Sequence, residues 1–532
     1  MKVAETVIDV LARDGVTHLF GVPGGGSSLD LIDAASRKGL HFVLTRTETG
    51  AAFMAATMAD LSGSIGVALA TQGPGTASAV NGVAQAWLDK SPLVLFTDGW
   101  SGERARFDTH QRYDQPALLS GLVKGSSTLD GPDPAGEFAG LTATAKTAPM
   151  GPVYVELTGE VARRQADAAG PVPAIETEAA GECADALALL AGAKRPVIVA
   201  GLEARHPGVA AALQDLAEVL RCPVLTTYKA KGAIPSSHDL FVGLFTGGAL
   251  EAPCVSEADL IVLVGFDPVE LIGKPWPYAA PVLDVGSLAY DPHYVEPKAV
   301  CRGDLAAALG KLRGGAALSG WPAEDIAVHK AAMAARLADE VAGNSGLSPV
   351  DVVKTVQAAS GAHRPRAAVD AGAHMFSAMA YWEVTAPNEI FISNGLATMG
   401  YSLPAAIAAS LADPDRPVIA FTGDGGLLMC AGELATAADV GAWIVVVVFN
   451  DSGLSLIELK QRARQLPQGN LRWSGVDFAQ MAAGAGVHGQ RATTLEALSD
   501  AVAQAMTRRG PSLIDVPIDP SGYDQQSAAL RG

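Results

Sequence analysis

The 532-residue sequence is most informative first in what it lacks. No apolar run approaches the ~20 residues that cross a bilayer, so no membrane-spanning segment is expected. The N-terminus, MKVAETVIDVLARDGVTHLF, reads as an amphipathic helix running into a strand. It shows no apolar core followed by a cleavage site, so no signal peptide is expected. Basic residues are scarce, 38 against 56 acidic, for a formal charge of −18. That balance argues against nucleic acid or an anionic membrane as the main partner, but a local site can still take a small anion. The five cysteines are scattered without a Cys-x-x-Cys. Their odd number argues against a disulfide framework and for a reducing cytoplasm. The histidines show no metal-ligand spacing, and there is no short-period repeat. GVPGGG (21–26) only partly mimics the Gly-x-Gly-x-x-Gly of dinucleotide enzymes and lacks its spacing, which disfavours an ordinary oxidoreductase.

What is present is core material. The chain is 49% hydrophobic and 18% charged, and its length calls for three or four domains. HFVLTRT (41–47), GVALAT (66–71), PLVLFTDG (92–99) and GPVYVEL (151–157) are short, apolar and β-branched, with amphipathic segments between several of them. That rhythm predicts a parallel sheet with helices on both faces. Residues 163–182 lose all periodicity and read as a linker. RPVIVAG, CPVLTTY, LIVLVG and PVLDVG restart the pattern, and 342–349 reads as a second linker. The last unit carries RAAVDAG, EIFISNG, RPVIAFTGDG, AWIVVVVFND and PSLIDVPID. The expected fold is α/β: three doubly wound parallel-sheet domains over 1–165, 183–341 and 348–525.

Two acids in the last unit stand out. Asp424 follows the strand RPVIAFTG in a glycine-rich turn, and Asp451 follows AWIVVVVFN, with GELATAADVG predicted as the crossover helix between them. A right-handed strand–helix–strand unit puts both strand ends on one rim. Neighbouring strands would bring the acids within roughly 5–10 Å. Open α/β sheets bind ligands on that rim. Paired carboxylates there suit a hard divalent cation that also takes phosphate oxygens, with the N–H groups of Gly425 and Gly426 facing the phosphate. Gly-Asp-Gly also occurs in plain turns, and an Asp after a strand is often a helix cap. The second acid and the flanking pattern shift the balance toward a site.

Gly-Asp-Gly (423–425), then 426–449, then Asn450-Asp451 resembles the diphosphate motif of thiamine-diphosphate-dependent enzymes, where Asn-Asn is usual at the second element. The resemblance extends through the chain in that family's order of pyrimidine-binding, central and diphosphate-binding domains. FGVPGGG (20–26), TRTETGAAFMA (45–55), TQGPGTAS (71–78), DAGAHM (370–375) and SNGLATMGYSLPAA (393–406) are similar to acetolactate-synthase-like members of the superfamily that also holds pyruvate decarboxylase and benzaldehyde lyase.

The resemblance implies thiamine diphosphate and Mg²⁺ as cofactors. Asp424, Asp451 and the carbonyl of Gly453 would hold the metal. Glu48 would be the carboxylate on the cofactor's aminopyrimidine, desolvated among apolar neighbours and ready to hold a proton at neutral pH. Met399 would be the apolar wedge between the cofactor rings, with Gly395 allowing close approach and Leu396 lending a backbone contact. Pro23, Gly24, Thr71, Pro74, His374, Gly423, Gly425, Gly426 and Leu454 complete the implied cofactor contacts. His110 and Gln111 fall where relatives place substrate-handling groups, and His110 has the intrinsic pKa to shuttle a proton. A solvated loop histidine and a buried structural His374 are the plain alternatives. Leu456 and Ile457 would wall the substrate pocket. Lys460 stands where acetolactate synthases have Trp. Segments 243–251 and 265–273 depart from their flavin-binding pattern, so the resemblance carries neither FAD nor that particular identity to this chain.

The implied reaction is cleavage or formation of a C–C bond next to a carbonyl of a small-molecule substrate. Decarboxylation of a 2-oxo acid with acyl transfer is the first choice, and an acyloin or 2-hydroxyacyl-CoA lyase or carboligase the second. Absence of a long basic C-terminal tail weighs against the acyl-CoA version, although 195–208 could hold a nucleotide. A non-catalytic binding or regulatory subunit is the competing class. In this family one cofactor bridges two chains, which implies a homodimer or homotetramer.

Overall fold

Short apolar runs become buried parallel strands. The computed structural model describes the chain except residues 101–105, 169, 171–180, 182, 272, 274, 289, 291–293, 339–345 and 532. Three six-stranded sheets follow one another along the sequence. The first holds β1 (His18–Val22), β2 (His41–Leu44), β3 (Gly66–Ala70), β4 (Leu93–Asp98), β5 (Ser126–Ser127) and β6 (Val153–Leu157), in the order β2-β1-β3-β4-β6-β5. The second holds β7 (Pro196–Ala200), β8 (Val224–Thr226), β9 (Phe241–Leu244), β10 (Leu260–Val264), β11 (Val282–Gly286) and β12 (Ala299–Arg302), ordered β12-β11-β10-β7-β8-β9. The third holds β13 (Arg366–Val369), β14 (Ile390–Ile392), β15 (Val418–Gly423), β16 (Ile444–Asn450), β17 (His488–Arg491) and β18 (Ser512–Pro517), ordered β14-β13-β15-β16-β18-β17. The first and third orders are the same when counted from each sheet's own first strand. Among the described residues, all the strand pairings within the three sheets are parallel, and central strands such as β16 are buried at every residue, as sheets covered on both faces require. This is the expected α/β architecture.

Three details correct the sequence reading. The segment after β15 is not a glycine-rich loop, because Asp424 is the first residue of a helix, Asp424–Cys430. The expected crossover helix over 432–441 is present as Glu433–Asp439, shorter by one residue at its start and two at its end. The strands β5, β9, β12 and β17 were not anticipated. Cys183 and Cys301 form a disulfide with Cα atoms 5.1 Å apart, while Cys222, Cys254 and Cys430 stay free and buried. An odd count rules out complete pairing, not a single bridge, so it no longer argues for a reducing compartment. Parts of both predicted linkers fall outside the described residues. Among the described residues no helix is long and apolar enough to cross a membrane.

The first and third units are joined at Glu433, which is fully buried. Its carboxylate accepts hydrogen bonds from the Thr47 N–H (3.0 Å) and hydroxyl (3.0 Å) and from the Arg46 N–H (3.1 Å). Thr47 in turn caps the helix Glu48–Ser62 by accepting from the Gly50 N–H. That helix packs on Ser402–Ala412, with Phe53 edge-on to Tyr401 at 5.5 Å. Glu48 is therefore the first residue of a helix anchored by a carboxylate from another domain.

Candidate active site

β15 and β16 pair in parallel register, with Gly423 opposite Phe449, so Asp424 and Asp451 emerge on the same edge as the sequence spacing predicts. Asp424 is 2% exposed. One of its oxygens accepts from the adjacent Gly425 N–H (2.7 Å), and the other from the Gly453 N–H (3.3 Å). Burial, and after it the Asp451 charge, push the Asp424 carboxyl up to about 7. Burial likewise raises Asp451, which accepts from the Ser455 hydroxyl. Arg472 does not close a salt bridge to either acid. It donates to the Asp451 carbonyl (3.1 Å) and pairs with Glu458 (2.6 Å). A buried carboxylate and a half-buried one that repel each other are a poor arrangement in isolation and a good one around a cation. Among the described residues no group of three or more His, Cys, Asp and Glu could hold a metal, so a cation here would complete its shell from backbone or ligand oxygens. Asn450 takes no part, because its amide is buried and donates to Asp515 (2.8 Å).

The acids open into a cavity of about 210 Å³ that Gly423, Gly425, Gly426, Gly453, Leu454, Met399 and His374 also line. A side chain at Gly425 would crowd the cavity wall. A Cβ there would stand 3.1 Å from both Leu454 and Trp473 and 3.3 Å from the Met399 methyl. His374 is buried, stacks on Phe449 at 5.4 Å and leaves its Nε2 without a hydrogen-bond partner. Burial holds its pKa down at about 3, so the ring is neutral. An unpaired ring nitrogen lining a cavity beside two acids is the kind of orphan polar atom a ligand satisfies.

The loop that carries Met399 is pinned by Asp370, which sequence reading did not single out. Its buried carboxylate accepts from the Gly400 N–H (2.9 Å), the Tyr401 N–H (3.0 Å) and the Thr422 hydroxyl (3.0 Å). Burial nevertheless pushes it up to about 6. Gly395 and Leu396 belong to the same loop but lie outside the cavity lining.

The remaining expected residues form a separate cluster on the first unit, and none of them lines the cavity. Glu48 is half-buried, not desolvated, within the single chain. Its Oε1 lies 3.2 Å from where a side-chain carbon on Gly75 would stand, beside the Thr71 methyl. Pro74 begins the helix Pro74–Leu88 next to them. Pro23 and Gly24 lead into the helix Ser27–Lys38, whose first turn is held by Asp98. Asp98 accepts from the Ser27 hydroxyl (2.8 Å) and from the Ser28 N–H (2.9 Å). A Cβ on Gly24 would stand 2.0 Å from that carboxylate and 2.5 Å from the Thr71 hydroxyl. Gly24→Ala is thus expected to destabilise the protein by about 1–3 kcal/mol, read as a lower midpoint in urea. Gln115, another residue the sequence did not flag, is fully buried and accepts from the Gly73 N–H (2.8 Å). Tyr113 donates to the Gly73 carbonyl (2.7 Å). Gln111 adopts a positive φ of 60° above Gly73, and both it and His110 are exposed.

Three parallel α/β units in series, with a glycine-lined acidic cavity over the carboxyl edge of the last, define a multidomain α/β ligand-binding protein. The comparisons narrow that class. Residues 1–118 match the family described as thiamine pyrophosphate enzyme, N-terminal TPP binding domain; residues 183–301 match its central domain, and 370–516 its C-terminal TPP binding domain. The chain belongs to the thiamine-diphosphate-dependent enzymes of the acetolactate synthase and pyruvate decarboxylase superfamily. It is 29% identical to the acetolactate synthase of Bacillus subtilis over 97% of this chain and 93% of that protein. It is 28% identical to a probable acetolactate synthase large subunit of Methanocaldococcus jannaschii (98% and 92%), and 27% identical to the acetolactate synthase isozyme 2 large subunit of Escherichia coli (98% and 96%).

Proposed function

We propose that this chain is a thiamine-diphosphate- and Mg²⁺-dependent enzyme that decarboxylates a 2-oxo acid and transfers the remaining acyl unit to a second carbonyl compound. The observation that carries this reading is the pairing of buried Asp424 with half-buried Asp451 in one cavity with Met399 and the orphan Nε2 of His374. Full-length similarity to acetolactate synthases supplies the reaction class.

Asp424, Asp451 and the Gly453 carbonyl are the residues that would hold Mg²⁺, neutralising the two facing carboxylates. Gly425 leaves its backbone open to a diphosphate, and His374 offers its neutral ring to the same end. When bound, thiamine diphosphate supplies a nucleophilic carbon that attacks a carbonyl. Glu48 would be the carboxylate that hydrogen-bonds the cofactor's ring nitrogen and passes a proton to and from it. Met399, which lines the cavity, would press its apolar side chain against the bound cofactor, with Gly395 and Leu396 on the same loop. Leu454 and Leu456 would shield the reacting carbon from water, with Ile457, exposed in the single chain, at the rim of the cavity. Because Glu48, Pro23, Gly24, Thr71 and Pro74 lie outside the cavity of their own chain, a second copy would supply them, with its His110 and Gln111 on the substrate side. Sedimentation is therefore expected to show activity only in a dimer or tetramer; an active monomer refutes this shared site.

Exposed Lys460, on the helix Ser455–Ala463, stands where acetolactate synthases have Trp, and that favours a second reading as an acyloin or 2-hydroxyacyl-CoA lyase. One assay separates the two. The protein is incubated with thiamine diphosphate, Mg²⁺ and a panel of 2-oxo acids and acyloins, and carbon dioxide and carbonyl products are followed together. Carbon dioxide release with a ligated product supports the first reading. Aldehyde without carbon dioxide supports the second. Turnover of neither class contradicts both.

A further inference from the structure

The central unit contributes no side chain to the cavity, yet it reaches the loop that carries Met399 through a buried set of charges where all three units meet. Asp89 of the first unit is fully buried. One of its oxygens accepts from the N–H of Gly395 (2.9 Å), in the third unit. The other accepts from the ammonium of Lys229, in the central unit (3.1 Å), and from the Gln85 amide (2.9 Å). Lys229 also donates to the Ile392 carbonyl at the end of β14 (3.3 Å). A second pair backs the first: Arg205 of the central unit meets Asp60 of the first at 3.1 Å, and Asp60 lies 3.9 Å from Lys229. All four side chains are at most 5% exposed. Gly395 fits this junction only because it lacks a side chain. A Cβ would stand 2.7 Å from Leu88, 3.2 Å from Asp89 and 3.2 Å from Val269, one contact from the first unit, one from the charge pair and one from the central unit.

We propose that Asp89 and Lys229 form an interdomain latch that positions residues 393–399 and thereby sets the affinity of the cavity for thiamine diphosphate. They are positioning residues; neither lines the cavity. The physical reasoning is the asymmetry of buried ion pairs. Intact, such a pair adds little net stability, but removing one partner leaves a charge with no solvation, which the structure relieves by opening. Without Lys229, the Asp89 carboxylate keeps only neutral donors and draws water into the junction. The cheapest way to admit water is to release the Gly395 N–H, and with it the loop ahead of Met399. The inference rests on the proposed cofactor role of that loop, so the test separates the two.

Lys229→Met and the double variant Asp89→Asn/Lys229→Met are compared with the parent by hydrogen exchange of 393–399 without cofactor, and by calorimetric titration with thiamine diphosphate and Mg²⁺. The double variant buries no charge in this pair. The introduced asparagine can still accept from the Gly395 N–H, and its amide can donate to the Gln85 side-chain oxygen Oε1, which is buried without a partner in the parent. Lys229→Met is expected to speed exchange in 393–399 at least tenfold relative to β15 and to weaken cofactor binding at least tenfold. The double variant is expected to return both to within about threefold of the parent. Parent-like exchange or parent-like affinity in Lys229→Met overturns the latch. If that single variant does not fold, Asp89→Ala/Lys229→Met decides, because it leaves no charge of this pair buried but removes the acceptor of the Gly395 N–H: faster exchange in 393–399 supports the latch, and parent-like exchange overturns it. Failure of the parent itself to bind the cofactor falls on the proposed function, while the exchange arm still decides whether the pair holds the loop.

Discussion

Glu48→Gln is expected to lower turnover by about 10²–10⁴-fold while leaving the melting temperature and cofactor affinity close to the parent's. Glutamine keeps the size of the side chain and an oxygen that accepts hydrogen bonds. It cannot hold and return a proton. The half-buried carboxylate has no hydrogen-bond partner among the described residues and lies against Gly75 and Thr71, so the fold does not depend on its charge. The helix beginning at Glu48 is secured by Thr47 and Glu433 instead, and both are untouched. A stopped-flow assay on cofactor-saturated protein reads the chemical step directly. Turnover within threefold of the parent would remove Glu48 from the chemistry, and would favour a binding or regulatory subunit if the parent is also inactive.

Asp424→Asn is expected to do the opposite to the two readouts. Cofactor affinity falls by at least about 100-fold, equivalent to about 2.7 kcal/mol. The unliganded protein does not lose stability, because the variant removes a buried like-charge contact with Asp451. The asparagine side-chain oxygen can still accept from the Gly425 N–H, and the helix Asp424–Cys430 keeps its start. A variant that bound normally would show that the acid pair is not the cation seat. A variant that unfolded would show that Asp424 serves mainly as a helix-initiating residue.

The parts of the site legible in the sequence are those encoded locally. Asp424 and Asp451 each follow an apolar run, and neighbouring parallel strands turn that spacing into proximity. Met399 and Gly425 share the cavity for the same reason, since each lies just past a strand on one rim. The illegible parts depend on partners distant in sequence. Asp370 reads as a turn acid until the fold brings Gly400, Tyr401 and Thr422 to it. Asp89 and Gly395 are 306 positions apart, and Cys183 and Cys301 are 118 apart. The missed strands sit on or next to sheet edges and break the apolar pattern. β17 is HGQR, β9 contains Gly243 and β12 exposes Val300, so burial cannot mark them. The expected desolvation of Glu48 failed for another reason: a single chain leaves it half-buried, and the covering surface would come from a second copy.

The central claim is that a divalent cation seated between Asp424 and Asp451 joins the protein to the cofactor's diphosphate. Titration calorimetry of EDTA-treated protein with thiamine diphosphate, run with and without Mg²⁺, tests it most directly. Saturable binding heat with Mg²⁺ and at least 100-fold weaker binding without it are predicted. Equal affinity in the two titrations, or no binding in either, would contradict it.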